Sequence, residues 1–122
     1  MRGGWGWESW EAYTNKVLGL DATLASGSQF HDPGDGVDRR HWSETDYALM
    51  VDAKYTTRAS FSVSGKLMGQ YVRRAAEMGK RFVLAVRLAD EKKGTRDDYV
   101  VVPLQDYVAL LESYREAERG EG

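Results

Sequence analysis

The stretch Tyr47-Ala-Leu-Met-Val-Asp-Ala-Lys54 is the part of the sequence that most constrains the fold. Its apolar residues favour a β-strand, which we expect to continue to Thr56. Such a run normally ends in turn residues, whereas this one delivers a carboxylate and an ammonium two positions apart. Residues two apart on a strand project from the same face, so Asp52 and Lys54 are predicted to meet on one side of the sheet.

Helical and strand patterns alternate on both sides of this strand. Together they predict an α/β sandwich in which helices flank a central mixed β-sheet. Before the central strand we expect a helix over 7–18 that stops at Gly19, a short strand over 21–25 and mostly loop over 27–46. The central strand covers 47–56, and an ambiguous segment over 57–61 leads to a helix from Ser62 or Ser64 to about Met78. After that helix we expect a buried strand over 81–87, a charged turn over 90–98, a strand over 99–102 and a helix from Pro103 to about Glu118.

The helix after the central strand is amphipathic and should end at Gly79. Its apolar stripe comprises Leu67, Met68, Tyr71, Val72, Ala75 and Met78, and its polar side comprises Lys66, Gln70, Arg73, Arg74 and Glu77. For the last helix, the spacing predicts a buried face made of Leu104, Tyr107, Val108 and Leu111. The tail over 112–122 is expected to fray into solvent.

The length of 122 residues, with 42% hydrophobic and 30% charged residues, predicts one domain over 1–122 with a core of about 5–111. The chain has no cysteine, which excludes disulfides, thiolate zinc sites and thiol catalysis, and its two histidines exclude a histidine-rich metal centre. No apolar run approaches the roughly 20 residues of a membrane span. We therefore expect an intracellular protein that has no membrane partner.

Charge is distributed unevenly along the chain although the formal net charge is only −2. From Lys54 to Arg87 eight basic residues face a single acid, and from Glu8 to Asp52 nine acids face three basic residues. An acidic segment that collects a metal beside a basic one that follows phosphates is typical of a nuclease. A mixed solvated surface is the alternative interpretation.

An acidic loop, Asp32-Pro-Gly-Asp-Gly-Val-Asp38, lies shortly before the central strand. One of its carboxylates could join Asp52 and Lys54. Two carboxylates and a lysine form a site for a hard divalent cation and a developing anion, the combination that phosphodiester hydrolysis needs.

The order of a helical glutamate, a Ser-Gly, an acidic loop, Asp-x-Lys on a strand and a basic helix followed by Val-Leu-Ala-Val resembles the PD-(D/E)XK nuclease superfamily. Within it the chain is most similar to the archaeal-type Holliday junction resolvases and their phage-encoded branch. The resemblance spans about residues 5–88, and 68–88 read especially like that family. It implies a restriction-endonuclease-like α/β sandwich.

The resemblance also implies roles for the acidic residues and the lysine. Asp52 would be a metal-binding carboxylate, and Lys54 would position or activate the attacking water or stabilise negative charge on the phosphate. Asp35 would be the other metal ligand. Because Gly36 follows it where the family usually has an apolar residue, Asp38 remains a rival placement.

Further residues are implied on both sides of this set. Glu8 matches the family's helical glutamate, with Glu11 as its alternate, although both could be ordinary exposed helix residues. Ser26 matches a serine close to the phosphate, although the Ser-Gly-Ser stretch could also be a turn. Contacts with DNA phosphates are expected from Arg39, Arg40, Arg58, Lys66, Gln70, Arg73 and Arg74.

The function implied is resolution of four-way DNA junctions by paired nicks, with Mg²⁺ as cofactor and Mn²⁺ as its substitute. Branched double-stranded DNA would be the partner, and a homodimer would supply two active sites. Two alternatives stay open: another nuclease of the superfamily with nicking, repair or restriction activity, and a non-catalytic DNA-binding module.

Overall fold

The computed structural model describes residues 7–22, 35–40, 45 and 47–121, without the side chains of 7–9 and 121. Glu8 and Ser26 are the predicted site residues affected: the Glu8 side chain and the whole of Ser26 lie outside the described part. The elements are α1 (Trp7–Leu18), β1 (Asp21–Ala22), β2 (Gly36–Val37), β3 (Leu49–Thr56), α2 (Gly65–Glu77), β4 (Arg81–Asp90), β5 (Thr95–Val101) and α3 (Leu104–Glu121).

The described strands form one mixed sheet in the order β1-β2-β3-β4-β5. β3 and β4 run parallel and are joined through α2, whereas each of the other neighbouring pairs is antiparallel. The expected α/β architecture with a mixed sheet is therefore confirmed. β2 was not expected, because its two residues lie in a segment that the turn-forming composition predicts as loop.

The two faces of the sheet are covered by different helices. On one face, Trp10 of α1 packs with Val51, Ala53, Val83 and Ala85. The other face contributes Met50, Phe82, Leu84 and Val86 to a cluster with Ala75 of α2. Side chains alternate along a strand, so Asp52 and Lys54 share the face of Met50 and lie on the α2 side.

Local capping explains the limits of α2. The helix begins after Ser64, whose hydroxyl accepts a hydrogen bond from the Leu67 amide at 3.2 Å, so Ser64 rather than Ser62 is the cap. The chain leaves the helix through Gly79, whose φ of 71° is accessible to glycine at little cost. Gly79 therefore ends the helix as predicted.

The charged turn predicted over 90–98 is confined to 91–94 in the structure. β4 continues to Asp90, and β5 begins at Thr95. Charged side chains are tolerated on β5 because it lies at the edge of the sheet, where most of them are exposed. Asp98 has a further reason to be in the strand, since it pairs with Arg87 of β4.

The prediction of a buried face on α3 is wrong. Leu104 is 77% exposed, Tyr107 52% and Val108 40%, and only Leu111 is partly buried. The predicted fraying of the tail is also wrong, because the helix continues to Glu121. The first turn of α3 is fixed by an ion pair at 2.7 Å between Asp106 and Arg81. Within the described residues, none of the helices combines the length and apolar character needed to cross a membrane.

Candidate active site

Asp35, Asp52 and Lys54 come together beside the middle of β3. The Lys54 Nζ lies 3.0 Å from Asp52 Oδ2, with the carboxylate buried and the lysine side chain 38% exposed. Burial raises the pKa of Asp35, and the Asp52 carboxylate is near enough for its negative charge to raise it further. Two carboxylates and an ammonium are thus neighbours, and the lysine side chain is partly exposed to solvent.

Asp35 is held by the main chain of β3. Its amide donates to the Val51 carbonyl, and its Oδ2 accepts from the Ala53 amide, each at 2.7 Å. β2 is so short that its pairing with β3 involves only Met50 and Val51. The side chain of Asp35 therefore binds the β3 edge just beyond the last paired residue.

The same geometry directs another oxygen towards this edge. The N–H and C=O groups of alternate strand residues point to the same side of the strand. Because the Val51 carbonyl and the Ala53 amide both bind Asp35, the Ala53 carbonyl also faces the β2 side. The edge of β3 can thus offer a main-chain oxygen close to the Asp35 carboxylate.

Asn15 of α1 is a residue that sequence reasoning missed. Its Nδ2 donates to the Asp35 main-chain oxygen at 3.2 Å. A Cβ atom on Gly36 would overlap Asn15 Oδ1 and lie 2.7 Å from Asn15 Cγ. Glycine therefore follows Asp35 because the amide of Asn15 occupies that space, which explains the departure from the pattern of the resemblance.

Burial and charge alter the proton affinity of this group. Burial raises the pKa of Asp35; the Ala53 hydrogen bond opposes that effect, and the Asp52 carboxylate adds to it. Burial by itself lowers the pKa of Lys54, but the adjacent Asp52 carboxylate outweighs that effect, so the net pKa is raised. Lys54 is therefore a cation at neutral pH.

One buried oxygen in the group lacks a well-directed donor. Among the described residues, none donates a hydrogen bond of good geometry to Asp52 Oδ2, although the Lys54 ammonium lies at ion-pair distance. The contact between the Lys54 ammonium and Asp52 Oδ2 is therefore an ion pair. Oxygen donors with excess negative charge suit a hard divalent cation.

The described carboxylates do not make a complete ligand set. Within the part of the chain that the structure describes, no three Asp, Glu, His or Cys side chains form a metal-binding group. If Asp35, Asp52 and the Ala53 carbonyl bound the ion, water and groups outside the described part would fill its remaining coordination positions. Mg²⁺ commonly keeps several waters, so this donor set fits the ion.

Tyr71 is a second residue that sequence reasoning missed, because its spacing assigned it to the apolar stripe of α2. Burial raises the pKa of the Tyr71 hydroxyl, and the negative charge of the Asp52 carboxylate adds to that effect. Tyr71 and Lys54 also line one cavity of about 50 Å³. The available sequence signal was that a tyrosine on a packed helix face tends to place its hydroxyl beside polar groups.

Asp38, the rival of Asp35, is engaged elsewhere. The Arg40 guanidinium holds its carboxylate through Nε at 3.0 Å and Nη2 at 2.6 Å, which lowers the pKa of Asp38. Lys80 donates to the Asp38 main-chain oxygen at 2.7 Å. The structure therefore brings Asp35 rather than Asp38 to Asp52, and it pairs Arg40 with an internal acid.

The helix that carries Glu8 and Glu11 lies on the other face of the sheet. α1 packs through Trp10 against residues whose side chains point away from the Asp52 face. Glu11 is partly buried on this helix and has an interaction partner. The Glu8 side chain and Ser26 lie outside the residues that the structure describes, so their positions relative to Asp52 are not described.

The basic residues separate into an internal and an exposed set. Arg87 is 1% exposed, Arg81 pairs with Asp106, and Lys80 binds main chain, so these three do not form the expected phosphate track. The exposed basic side chains are those of Arg39, Arg40, Arg58, Lys66, Arg73 and Arg74, and the neutral Gln70 is also exposed.

The predicted row on α2 does not point at Asp52 as a unit. At about 100° per residue, Arg74 lies roughly 60° around the helix from Tyr71, whereas Lys66, Gln70 and Arg73 lie 100° or more away. Arg74 is therefore the member of the row nearest to the side of α2 that faces the site.

Comparison with family models, with curated proteins and with solved structures gave no match for this chain. Two adjacent carboxylates, a main-chain oxygen and a protonated lysine can bind a divalent cation and neutralise charge on a phosphate.

Proposed function

We propose that this protein is a metal-dependent endodeoxyribonuclease that resolves four-way DNA junctions by paired nicks. The observation that carries the proposal is the meeting of Asp35, Asp52 and Lys54 at the edge of β3. These residues come from a loop and from strand β3, and they are 17 positions apart at their closest (52 − 35). Hydrolysis of a phosphodiester needs such a concentration of ligand oxygens beside a cation.

The arrangement of elements supports a restriction-endonuclease-like fold within the PD-(D/E)XK superfamily. A first helix is followed by three strands that pair antiparallel in succession. A second helix then leads to a strand that pairs parallel to the third strand of the same sheet. The resemblance expects Asp-x-Lys on a strand that is followed by a basic helix. Asp52 and Lys54 occupy β3, on the face that α2 covers.

Each residue has a defined part in the proposed reaction. Mg²⁺ bound by Asp35, Asp52 and the Ala53 carbonyl would polarise the phosphate and lower the pKa of a bound water. Lys54, whose pKa is raised by Asp52, acts as a cation and stabilises the charge that grows on the phosphate oxygens. The water oxygen bonds to phosphorus as one ester P–O bond breaks, and the leaving alkoxide takes up a proton.

DNA is held chiefly through its backbone. The exposed residues Arg58, Lys66, Arg73 and Arg74 carry positive charge on the α2 side of the sheet or close to it. Contacts with phosphates confer affinity without reading base edges, so sequence preference should be low. Binding should weaken steeply with salt as counterions compete for the phosphates.

Paired nicks require two active sites, which a symmetric dimer supplies. The apolar stripe of α3 supports this part of the proposal, because Leu104, Tyr107 and Tyr114 are 77%, 52% and 61% exposed. Stripes of this kind commonly mark interaction surfaces. A two-fold pair of α3 helices would cover the stripe and set two sites in opposed orientation.

A comparison of substrates tests the proposal. The protein is incubated with Mg²⁺ and either a synthetic four-way junction or a linear duplex of the same arm sequence. We expect paired nicks in the junction and much slower cleavage of the duplex. Equal rates would favour the alternative of a general superfamily nuclease, and binding without cleavage of either substrate would favour a non-catalytic module.

A further inference from the structure

We propose that the cavity between α2 and residues 61–64 binds the C2′ side of the deoxyribose that adjoins the scissile phosphate, and that it thereby selects DNA over RNA. This inference rests on the proposed function, because it assigns a subsite for the substrate of the same active site. It deepens that function by naming the part of the protein that recognises the sugar.

The cavity adjoins the proposed metal site through one side chain. Lys54 lines the cavity, and its Nζ lies 3.0 Å from Asp52 Oδ2. Leu84, which forms another part of the wall, lies beside Asp52 in the register of β3 and β4. A phosphate neutralised by Lys54 therefore has the cavity as its neighbour, and the carbons next to a DNA phosphate are those of deoxyribose.

Most of the cavity wall is apolar. The apolar members come from the segment before α2, from α2 and from β4, and they are Phe61, Val63, Leu67, Met68 and Leu84. Val63 and Leu67 are 44% and 45% exposed, so this wall reaches the surface of the protein, where a ligand can enter. Such a wall does not suit a second phosphate, because a buried charge needs charged or polar partners.

The size of the cavity distinguishes the sugar from the base. Its volume is about 50 Å³. Because an engineered cavity of about 150 Å³ holds benzene, this one is too small to enclose a nucleobase but has room for part of a sugar ring. C2′ is the ring carbon of deoxyribose that bears neither oxygen nor nitrogen, so it is the part of the sugar that fits an apolar wall.

In RNA the same carbon carries a hydroxyl group. That group must find room in the small cavity and lose water beside apolar side chains, and both effects are unfavourable. Ser62 and Ser64 also belong to the wall, but both are exposed, and the Ser64 hydroxyl accepts a hydrogen bond from the Leu67 amide at the start of α2. The cavity therefore favours a methylene group at this position.

The test places a larger group in the cavity and then enlarges the cavity. A four-way junction is prepared with deoxyribose, ribose or 2′-O-methylribose at each of the nucleotides that flank the cleaved bond, which is first mapped on the unmodified junction. Single-turnover rates with Mg²⁺ are compared for the wild type, Leu67→Ala and the matched control Met78→Ala. Met78 is 36% exposed, lies about three turns beyond Leu67 and is not part of the wall.

At one of the flanking nucleotides we expect ribose to slow cleavage by the wild type about 10-fold and 2′-O-methylribose about 100-fold, as apolar pockets reject one added group. Relative to its own rate with deoxyribose, Leu67→Ala should recover most of the rate with 2′-O-methylribose, whereas Met78→Ala should not. Should Leu67→Ala fail to fold, Val63→Ala enlarges the same wall and takes its place. A loss of rate that the enlarged variant shares with Met78→Ala and the wild type would overturn the inference.

The same rates separate this inference from the proposed function. If the wild type cleaves the unmodified junction and cleaves all three sugars equally fast at both flanking nucleotides, only the sugar subsite is overturned. If the wild type does not cleave the unmodified junction, the nuclease proposal fails and the subsite fails with it.

Discussion

The side-chain amide of Asn15 occupies the space that a Cβ atom on Gly36 would need. The same amide donates to the main-chain oxygen of Asp35, the residue before the glycine. α1 thereby fixes the short strand β2 from one face of the sheet, while the Asp35 side chain binds β3. The candidate ligand is thus positioned by a helix that contributes none of the described groups at Asp52.

This close approach predicts that Gly36→Ala destabilises the protein. The added methyl group must displace Asn15, and overpacking of this kind typically costs about 1–3 kcal/mol. Urea denaturation provides the measurement. Gly69→Ala is the matched control, because a Cβ at this helical position meets nothing within 4 Å and should stabilise by about 0.5–1 kcal/mol. Equal effects of the two substitutions would contradict the proposed approach of Asn15.

The cost at Gly36 should also depend on Asn15. Asn15→Ala removes the amide that a new Cβ would meet, so the double variant should lose less stability than the sum of the single ones. Coupling of at least about 0.5 kcal/mol is expected for residues in contact. Additive losses would show that the clash lies elsewhere.

The raised pKa of Asp35 predicts an unusual effect of pH on stability. An acid whose folded pKa exceeds its unfolded value holds its proton more tightly when folded. Its contribution to stability is therefore present at low pH and is lost as the pH rises from about 4 through the raised pKa. Asp35→Asn keeps an acceptor for Ala53 but removes the charge, so it should raise the metal-free melting temperature at pH 7.

Thermal melts at two pH values check this effect. At pH 3 both proteins are uncharged at the position, and their melting temperatures should differ little. Added Mg²⁺ should then stabilise the wild type and not Asp35→Asn. A variant that melts lower than the wild type at pH 7, by more than it does at pH 3, would contradict the account.

Asp35 and Asp38 should differ sharply in cleavage assays. Asp35→Asn removes a proposed metal ligand and should slow Mg²⁺-dependent cleavage by more than about 100-fold, since even indirect partners of a metal cost 10–100-fold. Asp38→Asn breaks the pairing with Arg40 and should leave cleavage nearly unchanged. Single-turnover rates on one junction decide between them, and the opposite order would transfer the ligand role to Asp38.

Arg87 should act in stability and not in DNA binding. It is buried, binds Asp98 through Nε at 2.7 Å, and lies 4.4 Å from the ring centroid of Trp10. Asp98→Ala removes an acidic partner of this buried cation and should cost about 3 kcal/mol, the low end for a broken buried pair because Asp98 is partly exposed.

Asp97→Ala is the matched control for that pair. Asp97 is exposed and points to the opposite face of β5, so its removal should change stability by no more than about 0.5 kcal/mol. Denaturation and junction-binding titrations of both variants provide the measurement. Equal stability of the two variants, or weaker junction binding by Asp98→Ala alone among folded proteins, would contradict a purely structural Arg87.

The strength of local signals explains how much of the fold the sequence predicts. β3, α2 and β4 carry long apolar patterns with clear ends such as Ser64 and Gly79, and all three were predicted. β5 was partly mistaken for a turn, because its charged residues have strand conformation only through pairing with β4. The prediction that α3 has a buried face is wrong for a related reason. Residue spacing indicates that a helix has an apolar face, but it does not indicate what covers that face.

The residues of the site likewise differ in whether a local sequence pattern predicts them. The shared face of Asp52 and Lys54 follows from the period of a strand, so the sequence is sufficient to predict it. Asn15 and Tyr71 depend on which helix crosses which part of the sheet, and no local pattern contains that information. The choice of Asp35 over Asp38 likewise depends on a hydrogen bond to Ala53 across a chain reversal.

The most direct test of the central claim is single-turnover cleavage of a labelled four-way junction by the wild type and by Asp52→Asn. Binding is followed in parallel by gel retention in EDTA. We predict paired nicks that require Mg²⁺ in the wild type, a loss of at least about 100-fold in Asp52→Asn, and similar junction affinity for both proteins. Undiminished cleavage by Asp52→Asn, or cleavage by the wild type in EDTA, would contradict the metal-dependent site.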